Sequence, residues 1–157
     1  MPIAHAPLPA SSLEDSTAFY LTALAPLGYS TFMQLGNTTG LNAEYDGPDF
    51  WLHKCPKSDA AKPWKTHVAF KGKSKKAVRE FHAAALKAGG RVNGAPGERP
   101  HYTKGYYAAY VLDLDGNTIE CVYYQPWWLS AVQIASKVLG LLAVGGVAWW
   151  VGKGGFV

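Results

Sequence analysis

Glu120, His67 and His5 are the residues whose types and spacing could carry chemistry in this chain. Glu120 sits two residues into Thr118 to Tyr124, a β-branched and aromatic run that leaves the Asp115-Gly116-Asn117 turn signal. A carboxylate there ordinarily faces solvent from a half-exposed sheet. Turned inward, it costs several kcal/mol unless it is paired or bound to a metal. His5 and His67 lie 62 residues apart, each early in a short strand-like stretch, Ile3 to Leu8 and Thr66 to Phe70. Either histidine alone reads as a hydrogen-bonded, partly buried residue. Two neutral imidazoles with one carboxylate, however, form a facial set that suits Fe(II), Mn(II) or Zn(II) and leaves positions open for substrate or water. Such a metal also supplies the opposite charge that a buried Glu120 needs.

The elements that must position these residues occur twice. Ser12 to Gly28 reads SLEDSTAFYLTALAPLG and Ser74 to Gly90 reads SKKAVREFHAAALKAGG, with identities at the same offset of 62: Ser12/Ser74, Phe19/Phe81, Ala23/Ala85, Leu24/Leu86 and Gly28/Gly90. Each window is a helix opened by a Ser N-cap and closed by Gly, and Pro26 ends the first one early. Apolar stretches broken by turns follow each helix: Tyr29 to Leu35, Gly40 to Tyr45 and Phe50 to His53 in the first half, and Arg91 to Asn93, Tyr106 to Leu112 and Thr118 to Tyr124 in the second. Gly94-Ala-Pro-Gly97 reads as a turn. A unit of strand, helix and three strands, repeated at this long period, is a duplicated half-domain and not a solenoid. The expected fold is α+β: two βαβββ modules, residues 1–62 and 63–125, forming a paired, mostly antiparallel sheet. Twofold pseudo-symmetry would bring the His5 and His67 strands together near the axis, where Glu120 could face them.

In order and spacing, these pieces resemble the vicinal oxygen chelate superfamily, which includes glyoxalase, bleomycin- and fosfomycin-resistance proteins and extradiol dioxygenases. The resemblance runs from about Ile3 to Tyr124. It is carried by His5 before LEDSTAFYLTALAPLG, GPDFWL (47–52), HVAF (67–70), VREFHAAALKAGG (78–90), GAPGERPHY (94–102), GYYAAYVLDLDGN (105–117) and Ile119-Glu120. It implies paired βαβββ modules and metal ligands at His5, His67 and Glu120. One departure matters. The glyoxalase type has a fourth ligand in the last strand of the first half, and aligning Asp46-Gly47 with Asp115-Gly116 sets Trp51 opposite Glu120. Tryptophan cannot ligate a metal, and His53 would need a register slip, so a four-ligand glyoxalase site is not expected. Trp51 is read instead as a substrate contact. In the loop Arg99 to Tyr107, Arg99 could pair an anionic substrate, and His101, Tyr102 or Tyr106 could orient or protonate an oxygen at the metal; the bland alternative is a Tyr-rich strand edge whose hydroxyls reach solvent.

The expected function is that of a small metal-dependent enzyme using a divalent ion as Lewis acid on an oxygen-rich small molecule, by isomerase, lyase or ring-cleaving dioxygenase chemistry. The alternative is a metal-free protein that sequesters a small ligand, and a homodimer fits either. A chain of 157 residues with 48% hydrophobic and 17% charged residues is globular. Its net charge of +4 and its one dense basic run, Lys71 to Lys76, fall short of a nucleic-acid footprint. Cys55 and Cys121 have no metal-ligand or redox spacing, and the N-terminus has no secretory pattern, so free thiols in a reducing compartment and a cytoplasmic catalytic domain are expected. From residue 126 the composition turns apolar. Trp127-Trp128 and Trp149-Trp150 bracket 20 residues, a helix of ~30 Å and so about one bilayer core. Lys137 near its middle costs roughly 2.5–3.5 kcal/mol on insertion. The tail is read as a hydrophobic helix that attaches the protein to a membrane, against the alternatives of an interfacial helix or one packed on protein.

Overall fold

The computed structural model describes residues 4–43, 47–55, 65–126 and 128–129. Met1–Tyr124 forms one compact unit. Its first module runs β1 (Ala6–Ala10), α1 (Leu13–Leu24), β2 (Ser30–Leu35), β3 (Thr38–Asn42) and β4 (Phe50–Lys54). The second runs β5 (His67–Lys71), α2 (Lys75–Lys87), β6 (Arg91–Glu98), β7 (Tyr106–Leu112) and β8 (Thr118–Tyr124). The strands form two four-stranded sheets, ordered β1-β4-β3-β2 and β5-β8-β7-β6. In each, the first strand pairs in parallel with the last and the other pairings are antiparallel. The duplication is therefore present in topology as well as in sequence, and the fold is α+β with two βαβββ modules.

Local chemistry explains the helix limits. Ser12 accepts from the Asp15 amide and Ser74 from the Ala77 amide, satisfying N–H groups that the first turn leaves unpaired. Pro26 turns the end of α1 into a short 3-10 turn, Ala25–Leu27, which Gly28 closes at φ +87°. After α2, Gly89 takes the left-handed position at φ +99°, and Gly90 donates its amide to the Ala85 carbonyl.

Two boundaries differ from those read in the sequence. β1 begins at Ala6, whose amide donates to the Asp49 carbonyl, so His5 precedes the strand instead of lying within it. Gly94-Ala-Pro-Gly97 is not a turn: it lies inside β6, with register shifts between Val92 and Gly94 and between Gly94 and Gly97. Bulges absorb residues that break the pairing. Gly94 is required there because a Cβ would come within 2.8 Å of the Tyr110 ring.

The helices pack on each other and share one core with the inner faces of both sheets. Phe19, Tyr20 and Leu24 of α1 and Val78, Phe81 and Ala85 of α2 meet Leu8, Phe50, Leu52, Phe70 and Ile119, all buried. Edge-to-face rings join the modules, with Phe50 against Phe70 at 5.1 Å and Tyr29 against Phe70 at 5.3 Å. Each such side chain contributes about 1.5–3 kcal/mol when fully buried. The buried Tyr20 hydroxyl donates to Asp113 Oδ2 at 2.6 Å, while Asn117 donates its amide to Asp113 Oδ1 and its side-chain NH2 to Asp113 Oδ2. A charge in the core is thereby satisfied, and α1 is tied to the turn before β8. The helix-covered faces of both sheets are consumed by the core.

Among the described residues no helix is long and apolar enough to cross a membrane. The tail read as a hydrophobic helix lies outside the described residues except for Pro126, Trp128 and Leu129.

Candidate functional site

Strand alternation sorts the residues of the second sheet. Val68, Phe70, Ile119 and Cys121 turn into the core, so His67, Ala69, Thr118 and Glu120 share the outer face. Pairing sets Ala69 beside Glu120 on one side and Tyr110 beside it on the other. Glu120 is only 3% exposed, although it lies on this outer face. His67 Nε2 lies 2.9 Å from Glu120 Oε2, and the Tyr106 hydroxyl donates to Glu120 Oε1 at 2.6 Å. Burial, reinforced by the hydrogen bond to Glu120, pushes the Tyr106 phenol up, so it stays a donor. Burial and the neighbouring Glu120 charge push Tyr110 up to about 12. The carboxylate is thus surrounded by a half-exposed imidazole and two neutral phenols.

The loop residues extend this face as an aromatic array. The His101 and Tyr102 rings lie 4.4 Å apart, Tyr102 and Tyr106 5.1 Å, and Tyr106 and Tyr124 5.1 Å. The Arg99 guanidinium lies 5.7 Å from the centre of the Tyr110 ring, while Nη1 and Nη2 donate to the Glu98 and Ala95 carbonyls. That leaves further N–H groups of the fork to meet an anion.

The first sheet has the same register and different chemistry. Pro7 pairs with Trp51 as Ala69 pairs with Glu120, so Trp51 occupies the place in β4 that Glu120 occupies in β8. Across β3 its neighbour is Gly40, where Tyr110 stands in the second sheet. A Cβ on Gly40 would lie 3.2 Å from two atoms of the Trp51 indole and 2.8 Å from Pro48 Cβ. The glycine therefore gives the indole its room. His53 stacks near Trp51, with centroids 6.2 Å apart, and is not near Glu120 in sequence register.

His5 does not join the His67–Glu120 pair within the chain. It is exposed ahead of β1, and among the described residues no three His, Cys, Asp or Glu side chains gather closely enough to hold a metal. Of the eight residues singled out in the sequence, Glu120, His67 and Tyr106 are brought into contact, Tyr102 and His101 continue the array, and Arg99 borders it through Tyr110. Trp51 and His5 lie on the other module. Tyr110 and Tyr124 were missed. Alternation in YYAAYVL already placed Tyr110 on the face of Tyr106, which was the available signal.

No protein-family model matches the sequence, and no curated protein matches it. Solved structures do. A glyoxalase/bleomycin resistance protein from Albidiferax ferrireducens is 25% identical with a TM-score of 0.63, over 78% of this chain and 98% of that one. A glyoxalase/bleomycin resistance protein/dioxygenase family enzyme from Burkholderia phytofirmans is 17% identical with a TM-score of 0.61, over 80% of this chain and all of that one. A lactoylglutathione lyase from Agrobacterium tumefaciens is 20% identical with a TM-score of 0.56, over 80% and 95% respectively. The duplicated module and these likenesses define the fold as that of the vicinal oxygen chelate superfamily, the class of glyoxalase, bleomycin-resistance and dioxygenase proteins.

Proposed function

We propose that the protein is a small metal-dependent enzyme of the vicinal oxygen chelate type, acting on an oxygen-rich small molecule. The observation that supports this reading best is Glu120: a carboxylate buried on the sheet face turned away from the helices, with an imidazole nitrogen 2.9 Å from one oxygen. His67 Nε2 and Glu120 Oε2 are chemically suited to share one divalent ion, so two of the three expected donors fit. A bound Fe(II), Mn(II) or Zn(II) supplies Lewis acidity toward a carbonyl or enolate oxygen, the chemistry common to isomerase, lyase and ring-cleaving reactions. The chain's own residues bind and orient. Arg99 meets an anionic group, Trp51 offers an aromatic contact, and His101 and Tyr102 lie where a proton can be passed to or from substrate at the mouth of the array.

The third donor, His5, comes from pairing of two copies in this reading. β2 is exposed along its whole length, with Phe32, Met33 and Leu35 among its side chains. Apolar surface of this kind marks an interface, and a homodimer that covers it can carry His5 to the His67 face of a partner. The catalytic domain is cytoplasmic, and the apolar tail attaches it to a membrane; support for the tail rests on composition alone.

A second reading, a metal-free binder of small molecules, is favoured by two features. Both oxygens of Glu120 already have hydrogen-bond partners, and Trp51 replaces a donor in the first module. Titration calorimetry with Mn(II) and Zn(II) separates the two. The enzyme reading expects one ion bound per site by the wild type, with loss in Glu120→Ala, His67→Ala and His5→Ala while the fold persists. Retention of full affinity in Glu120→Ala refutes it.

A further inference from the structure

We infer that Tyr106 is the positioning residue for the Glu120 carboxylate, fixing which oxygen is offered to the outer face, and not a proton donor to substrate. The inference rests on the metal reading for its consequence but not for its geometry. Tyr106 and Tyr110 alternate on one face of β7 with the small Ala108 between them. Tyr110 is the direct cross-strand neighbour of Glu120, whereas Tyr106 is paired with Tyr124, two same-face steps away along the strand. Tyr106 nevertheless makes the 2.6 Å bond to Oε1, so its side chain reaches along the sheet past Ala108 to do so. A longer residue at 108 would stand in that path.

The ring is held for this reach from two sides. Tyr124 meets it edge-on at 5.1 Å with planes at 81°, and Tyr102 lies 5.1 Å away, tilted at 48°. With Oε1 engaged by the Tyr106 hydroxyl, Oε2 is the oxygen directed at His67 Nε2. Glu120 then acts as a one-oxygen donor in a fixed rotamer. Hydrogen-bonded ligands of this kind are oriented before the ion arrives, and removing the partner typically weakens metal binding by about 10–100-fold. Because the hydroxyl is committed to Glu120, the proton-transfer role passes to His101 or Tyr102, which make no bond to the carboxylate among the described contacts.

Tyr106→Phe tests this, since it keeps the braced ring and deletes only the donor. Two readouts are needed: Co(II) affinity with its visible absorption, and the 15N resonances of the His67 ring in metal-free protein at one fixed pH. The expected result is Co(II) binding weakened by about tenfold or more with altered ligand-field bands, moved His67 resonances, and a thermal midpoint close to that of the wild type. Tyr102→Phe, which removes a neighbouring hydroxyl that does not reach Glu120, should leave both readouts in place. Wild-type affinity and spectrum in Tyr106→Phe, alongside lost binding in Glu120→Ala, would overturn the positioning role and leave the metal site standing. If no variant and not the wild type binds metal, the metal reading fails by itself. The His67 resonances then decide alone: moved in Tyr106→Phe, they uphold the positioning of Glu120; unmoved, they overturn it.

Discussion

A strand carboxylate can be held at 3% exposure only when its oxygens have partners, and Glu120 has His67 on one oxygen and Tyr106 on the other. The contrast is His82 on α2, whose Nε2 is buried with no hydrogen-bond partner among the described residues. Burial lowers the His82 pKa, so the folded state holds it neutral. The unfolded chain binds its proton near the ordinary value, and the stability contributed by the neutral form is therefore complete above about pH 6.5 and lost as pH falls through the lowered folded pKa. His82→Leu should flatten this part of the acid limb and add about 1 kcal/mol, the order of one unmet buried polar group. Thermal midpoints by circular dichroism across that range measure it, and curves that stay parallel in variant and wild type would rule it out. At this scale the sequence was partly transparent. Charge in a β-branched run, His67 early in its strand and the Tyr-rich loop pointed to one face, whereas the repeat offset that paired His5 with His67 did not bring those two together. Tyr110 is marked only by the alternation of β7 and lies outside the Tyr-rich loop, and the bond between Tyr106 and Glu120 depends on side-chain reach that spacing does not encode.

At the level of elements, repetition made the fold legible: Ser caps, closing glycines and the turn at Asp115-Gly116 each announce a boundary through backbone chemistry. β6 was harder, because glycine and proline signal a turn and a bulged strand alike; only the pairing with β7 distinguishes them. The two β-sheets then diverge at equivalent positions, Glu120 beside Tyr110 in one and Trp51 beside Gly40 in the other. The indole occupies space that a side chain at 40 would fill. Gly40→Ala should accordingly force Trp51 or Pro48 aside and cost about 1–3 kcal/mol, read from chemical denaturation, with the His67–Glu120 face undisturbed. An unchanged midpoint would mean that the indole yields freely and is not braced by the strand beneath it.

For the whole molecule, the period of the repeat predicts two modules but not which faces meet. In one chain the helices take the inner faces and His5 stands apart from His67 and Glu120; in the proposed reading a second copy supplies the third donor, which no spacing reveals. The apolar stretch after Gln125 poses a separate question. The eight strands of the described residues are complete by Tyr124; truncation after Gln125 should leave metal content and thermal midpoint unchanged, and under the proposed attachment it should shift the protein from the membrane to the soluble fraction. Lost folding or metal binding on truncation would show the tail to be part of the domain. The most direct test of the proposed metal centre and its pairing of two copies is anomalous diffraction from crystals grown with Mn(II) or Zn(II). The expected result is a single strong peak per site, bonded to His67 Nε2 and Glu120 Oε2 with a His5 imidazole as third ligand. A peak elsewhere, or none at a site still closed by the Tyr106–Glu120–His67 bonds, would contradict it.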